Sequence, residues 1–311
     1  ARGAVMVARQ LIARNQVTNS KNVQEAVRRI EQTTARLDKL NFLEGRRIVW
    51  FTSGDTVKLK DESGKESVVY DMRDAGAETA IHAQWRSLNP GMPDDAFTSI
   101  IPDIPEEGKD DQPLVARAKQ ALLDAIASPG APQTIFITAH GEGTVLGVKG
   151  DPSGLLSESN SISREEFVSA FEKRLKQPGV LQQYRDGKPD IFVLPPCVSY
   201  DFVEGTYRLI RERLGKAFKG QRPPLPIMVA GADRGMRTLY LQPIASRLSA
   251  VSRPLIGFSG NQDAMLGTVI REVRRGENLH GGMGIVIFAP DESGIPIELT
   301  ENEDDASTKP G

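Results

Sequence analysis

A chain of 311 residues with a formal net charge of −2 is long enough for one large α/β domain or two modest ones, with a well-buried core. That balance gives no reason to expect nucleic acid or an anionic membrane as partner, and no apolar run approaches the ~20 residues that span a bilayer. The single cysteine rules out an internal disulfide and suits a reducing, cytoplasmic compartment, while the start at Ala1 leaves room for a removed targeting segment.

Residues 1–45 read as an N-terminal helical arm. Val23, Ala26, Val27, Ile30, Leu37, Leu40 and Leu43 recur at helical spacing, and Asn19 or Ser20 can cap a helix from about Lys21 to Leu40. The arm is expected to pack on the main domain, and its helices are also the place where a protein partner would dock. From Arg47 the pattern turns to strands alternating with helices. Ile48–Phe51 and Ser67–Tyr70 are short β runs, and the turn-rich Lys60–Gly64 between them predicts a hairpin. Asp74–Leu88 is expected to be helical, Asn89–Gln112 largely loop, and Pro113–Ala127 an amphipathic helix with proline at a tolerated early position.

Three nearly continuous apolar runs follow, Thr134–Thr138, Ile191–Leu194 and Ile227–Ala230, as expected of parallel strands buried on both faces. Ser163-Arg-Glu-Glu166 is a capping box that opens a helix through Leu175, and a further helix is expected from about Phe202 to Phe218. Gly284–Phe288 is expected to join the same sheet. The main body thus covers 46–298, and 299–311 reads as an acidic, disordered tail. This βαβα succession predicts an α/β fold, a mainly parallel central sheet with helices on both faces. In such sheets ligands bind outside the carboxyl ends of the strands, so residues just past a strand draw attention.

Two such places carry chemistry. The run Thr134–Thr138 passes through Ala139 into His140-Gly141, and Ile191–Leu194 passes through Pro195-Pro196 into Cys197, the only thiol. A right-handed crossover makes the two strands neighbours or near-neighbours, so that His140 and Cys197 face one another across the strand ends. A thiol with a pKa of about 8.5 is only slightly ionised at neutral pH. A nearby imidazole can take its proton and later return it to a leaving amine. The backbone N–H groups of Gly141 and Cys197 are the natural pair to hold the oxyanion of a tetrahedral intermediate.

A hydrophobic strand ending in His-Gly, followed by a second ending at Cys, resembles the caspase-like (clan CD) cysteine peptidases, a bacterial-type member among them. The resemblance covers the core from about Arg47 to Pro290, and its specific part is the two strand-end motifs. It implies a caspase-like fold, a Cys-His dyad, hydrolysis of protein or peptide substrates, and no cofactor or metal. It also implies that the segment after the third strand lines the specificity pocket, where Asp233 would pair with an Arg or Lys side chain of the substrate. With basic specificity, Arg211–Lys219 becomes a candidate self-cleavage segment.

Where many members of that family carry Ala, Gly or a polar residue before the cysteine, this chain has Pro195-Pro196, which removes two backbone donors but leaves the amide of Cys197. That departure favours the alternative, a catalytically inactive caspase-like domain acting as a binding or assembly module. His280, in Leu279-His-Gly-Gly282, has no apolar lead-in strand and reads as a turn histidine; His82 reads as a helix residue with an ordinary structural role. Three well-separated histidines and one cysteine give no metal-ligand spacing. Gly141-Glu-Gly143 does not make a dinucleotide fingerprint, which disfavours a flavodoxin-like cofactor domain.

Overall fold

The structure, a computed structural model, describes residues 21–37, 39–53, 56–60, 66–71, 75–101, 112–141, 145–147, 161–194, 199–218, 223–230, 286–290 and 296–300. Its centre is a seven-stranded sheet. Five strands run parallel: β1 (Arg47–Thr52), β4 (Phe97–Ile100), β5 (Gln133–Thr138), β9 (Ile191–Leu194) and β10 (Ile227–Ala230). The ribbon β11 (Val286–Pro290) and β12 (Pro296–Thr300) adds antiparallel to β10, giving the order β12-β11-β10-β9-β5-β1-β4.

Strand alternation divides the apolar side chains into two layers. On one face Val49, Phe51, Ile135, Ile137, Phe192 and Leu194 pack against three helices: α3 (Gln112–Ala127), α4 (Arg164–Leu175) and α6 (Ser199–Ala217). On the other face Ile48, Trp50 and Phe136 meet Phe42 and Leu43, together with Ile81 and Trp85 of α2 (Ala75–Leu88). Covered on both faces, β9 and β10 are wholly apolar, while β1 and β5 are apolar at their centres and polar at their ends. The α/β expectation of a mainly parallel sheet covered by helices on both faces holds. The N-terminal helix α1 (Lys21–Leu37) lies beside β12, and Arg36 donates to the carbonyl of Pro290.

Two local expectations are corrected. Ile48–Phe51 does not pair with Ser67–Tyr70. It is the buried middle of β1, between β4 and β5, and the hairpin is made instead by β2 (Thr56–Lys60) with β3 (Glu66–Asp71). An all-apolar run is suited to a strand covered on both faces, whereas Thr-Val-Lys-Leu-Lys alternates as a two-stranded ribbon requires. The segment 89–112 is not wholly loop, because Phe97-Thr-Ser-Ile100 forms the edge strand β4 after a short 3-10 turn at Asp94–Ala96. The short helix α5 (Val180–Arg185) and β12 also went unexpected. The acidic residues beyond Thr300 lie outside the described residues.

At the amino-terminal edge the strands are tied together by a buried ion pair. Arg174, near the end of α4, and Asp190, just before β9, have fully buried side chains and meet at 3.2 Å. Both carboxylate oxygens of Asp190 are used: Arg174 donates to each, the amide of Gln133 donates to Oδ1 at 3.0 Å, and Tyr184 Oη donates to Oδ2 at 3.1 Å. Arg174 also donates to the carbonyls of Ser128 and Ala131 in the turn before β5. A second buried guanidinium, Arg46, donates to the carbonyls of Asn41 and Pro189; burial pushes its pKa down to about 10 against the opposing pull of Asp190 and Tyr184. Breaking one partner of such a pair leaves a charge stranded in the core. Arg174→Met should lower unfolding stability by about 3–5 kcal/mol in urea titration, and Arg174→Met combined with Asp190→Leu should be less destabilised than the single variant.

Candidate functional site at the carboxyl edge

The chain order sets where a crevice can open. From β1 the chain crosses to β4 by α2 on one face, and from β5 it crosses to β9 by α4 on the other. Adjacent strands whose connections leave on opposite faces part at their carboxyl ends, and that parting is the ordinary ligand position of open α/β sheets. Here it lies between β1 and β5. The amide of Ser53 donates to the carbonyl of Thr138 at 2.9 Å, one step past the end of β1. The hydroxyls of Ser53 and Thr138 are both buried and have no hydrogen-bond partner among the described residues. Sequence reading passed over these two residues, because a Ser and a Thr at strand ends look like ordinary turn formers.

His140 follows immediately. After Thr138 and the buried Ala139, the backbone of β6 (His140–Gly141) leaves the central sheet and pairs antiparallel with β7 (Val145–Gly147), which pairs in turn with β8 (Ser161–Ser163). This three-stranded ribbon ends at the N-terminus of α4. The expected capping box is present: Ser163 Oγ accepts from the amide of Glu166 at 3.2 Å, and a Glu166 carboxylate oxygen accepts from the amide of Ser163 at 2.9 Å. Lys119 of α3 joins the same carboxylate group at 2.7 Å. Burial works to raise the Glu166 pKa, but the Lys119 and Ser163 contacts outweigh it and hold it below its ordinary 4.5.

β5 and β9 are hydrogen-bonded neighbours, with Thr134 opposite Ile191, Ile135 opposite Phe192 and Phe136 opposite Val193. In the sequence, His140 and Cys197 each stand four residues beyond the last of these pairs. Cys197 itself lies outside the described residues, as do Asp233 and His280; Asp233 follows the end of β10 by three residues. The structure thus brings together the strands that lead to His140 and Cys197, and the backbone of His140–Gly141 begins at that rim. His82 is exposed on α2 and stacks with Trp85 and Phe97, an ordinary helix-surface role as expected. The first part of Arg211–Lys219 is the last turns of α6, helical through Ala217.

Arg164, the first residue of α4, lies across the start of α6. It donates to the carbonyl of Asp201, and its guanidinium occupies the space over Gly205. Burial and the like charge of Arg208 lower its pKa, while Asp201, Glu165 and Glu204 pull it back up. A pocket of about 420 Å³ is found at the opposite, amino-terminal edge, between Arg36, Tyr184, Arg185, Phe218, Leu225 and Ile227. Pro189 and Ile227 place it at the starts of β9 and β10 rather than at their carboxyl ends. Among the described residues no group of three His, Cys, Asp or Glu side chains is placed to hold a metal ion, and no helix is long and apolar enough to cross a membrane. The chain matches no protein-family model and no curated protein.

The cap is the hinge on which the ribbon turns into α4. Ser163→Ala should cost about 1 kcal/mol in urea unfolding at neutral pH. The lowered pKa of Glu166 means its contribution is complete above the ordinary 4.5 and is lost as pH falls through the lower folded value. The stability gap between the parent and Glu166→Gln should therefore narrow on acidification, and a constant gap down to acid unfolding would contradict the contacts of the carboxylate with Lys119 and the Ser163 amide.

Proposed function

We propose that the chain is a caspase-like cysteine endopeptidase acting on protein or peptide substrates. The observation that carries the reading is the parallel pairing of β5 with β9, with an imidazole and the only thiol each four residues past the last paired position. Supporting it are the switch point between β1 and β5 and the two hydroxyls buried beside it that have no partner among the described residues. In this reading Cys197 attacks the scissile carbonyl carbon. His140 takes the thiol proton and returns it to the leaving amine, and water then hydrolyses the thioester. The amides of Gly141 and Cys197 receive the oxyanion, a contribution of roughly 3 kcal/mol per donor. Asp233 binds a basic side chain before the cut. The protein works in the cytoplasm without a cofactor, and its N-terminal helices receive a protein partner.

Pro195-Pro196 favours one other reading, an inactive caspase-like module used for binding or assembly. Turnover of fluorogenic peptides bearing Arg or Lys before the scissile bond separates the two. Cys197→Ala and His140→Ala should each abolish hydrolysis, and His280→Ala should leave it within about twofold of the parent, as expected of a residue away from the chemistry. An electrophilic peptide probe should label Cys197 in the parent and in His280→Ala, and should not label Cys197→Ala. No labelling and no turnover by the parent would establish the inactive module, and equal loss in all three variants would remove His140 from its role.

A further inference from the structure

We propose that the pocket at the amino-terminal edge binds a small organic anion, a carboxylate on an apolar body of roughly eight carbons. Binding there does not require His140 or Cys197 to be catalytic. The cavity holds about 420 Å³, within the ordinary range of small-molecule sites and far larger than a packing defect. Arg36, in the last turn of α1, and Leu40 line it from the N-terminal arm. Leu181 and Arg185 of α5, Phe218 just past α6 and Leu225 before β10 line it from the main body.

The lining sets the ligand class. Its leucines, Phe218 and Ile227 offer a hydrocarbon body a place out of water, where each fully buried CH2 strengthens binding up to about fourfold. Pro189, Pro223, Pro224 and Pro290 complete the wall, and proline has a fixed φ and no amide donor. The donors are instead cationic. Among the described residues that line the pocket, the charged ones are Arg36 and Arg185, and none is Asp or Glu. Arg36 donates to the carbonyl of Pro290, which holds it against the wall; a guanidinium has five N–H donors to share between a carbonyl and a carboxylate. The groups behind the lining add to this charge. Arg46 donates to the carbonyl of Pro189, and Asp190 accepts from both Arg174 and Tyr184, so two guanidiniums stand against one carboxylate. Asp186 and Lys188, on either side of Gly187, offset one another. Burial and Asp190 push the Tyr184 phenol well above its ordinary 10, so it brings no negative charge. The local balance is thus positive in a chain whose formal total is −2. Such a lining favours an anion over a neutral body of the same size, and the planar guanidinium fork matches a carboxylate.

Isothermal titration calorimetry of the full chain with octanoate, octanol and inorganic phosphate tests this, for the parent, Arg185→Gln and Leu181→Trp, with circular-dichroism melting of each. The parent should bind one octanoate with a Kd below about 1 mM. Octanol, which lacks the charge, and phosphate, which lacks the apolar body, should each bind at least about tenfold more weakly. Arg185 is exposed, so Arg185→Gln keeps the fold while weakening octanoate by about tenfold. Leu181 is half-buried at the pocket, so Leu181→Trp fills the space and should abolish saturable binding. Should Leu181→Trp melt well below the parent, Arg185→Gln alone decides the matter. No saturable binding of octanoate by the parent up to about 1 mM would overturn the assignment. So would equal affinity for octanol, or undiminished binding in Arg185→Gln.

Discussion

Everything at the rim depends on where the strands begin, and the Arg174–Asp190 pair sets that level. Two fully buried charges are costly to desolvate, and they are tolerable only because every acceptor position of the carboxylate and most donors of the guanidinium are used. The partners come from the turn before β5, the start of β5, the end of α4, α5 and the residue before β9. With β5 and β9 anchored to one carboxylate, their register has no freedom to slip. A one-residue slip would turn every side chain of a strand to the other layer, and both layers are fully packed.

The two edges of the sheet then have different physical characters. The amino-terminal edge is knit by buried charge and by Arg46, whose guanidinium joins Asn41 to Pro189. The carboxyl edge is built from chain that leaves the sheet, namely the ribbon beginning at His140 and the capped start of α4. Rigid support at one edge and departing segments at the other is the usual division of an α/β domain between holding a shape and presenting side chains. The hydroxyls of Ser53 and Thr138, without a partner among the described residues, fit that division, since buried polar groups left unsatisfied are tolerated where a ligand or a water can reach them.

Much of this was legible in the residues. The strands β5, β9 and β10 were visible because parallel strands buried on both faces have to be continuously apolar, and the start of α4 because Ser163 and Glu166 stand at capping-box spacing. The edge strand β4 was hidden by its Thr-Ser centre and by the proline-rich company it keeps, and its strand character comes from pairing with β1 rather than from propensity. The hairpin was misassigned because two β runs around a turn-rich stretch look like partners when a nearer alternating run is overlooked. Arg174 and Asp190 gave no signal, since nothing local distinguishes a buried ion pair from two surface charges sixteen residues apart. Of the site, the neighbouring of the two lead-in strands could be argued from crossover handedness, while Ser53 and Arg164 needed three-dimensional placement to stand out.

The antiparallel addition of β11 has a consequence for how such a molecule can diversify. Because Ala230 is the register partner of Val286, the chain departs from β10 and re-enters the sheet at one and the same border. Residues 231–285 are thus an excursion whose two ends are pinned side by side, independent of what lies between them. Lengthening or replacing a tract held that way leaves both attachment points and the strand ladder untouched, and the closure entropy grows only logarithmically, by about 0.6 kcal/mol for each doubling. New sequence can be spliced in between Ala230 and Val286 over generations without disturbing the scaffold that holds those two ends.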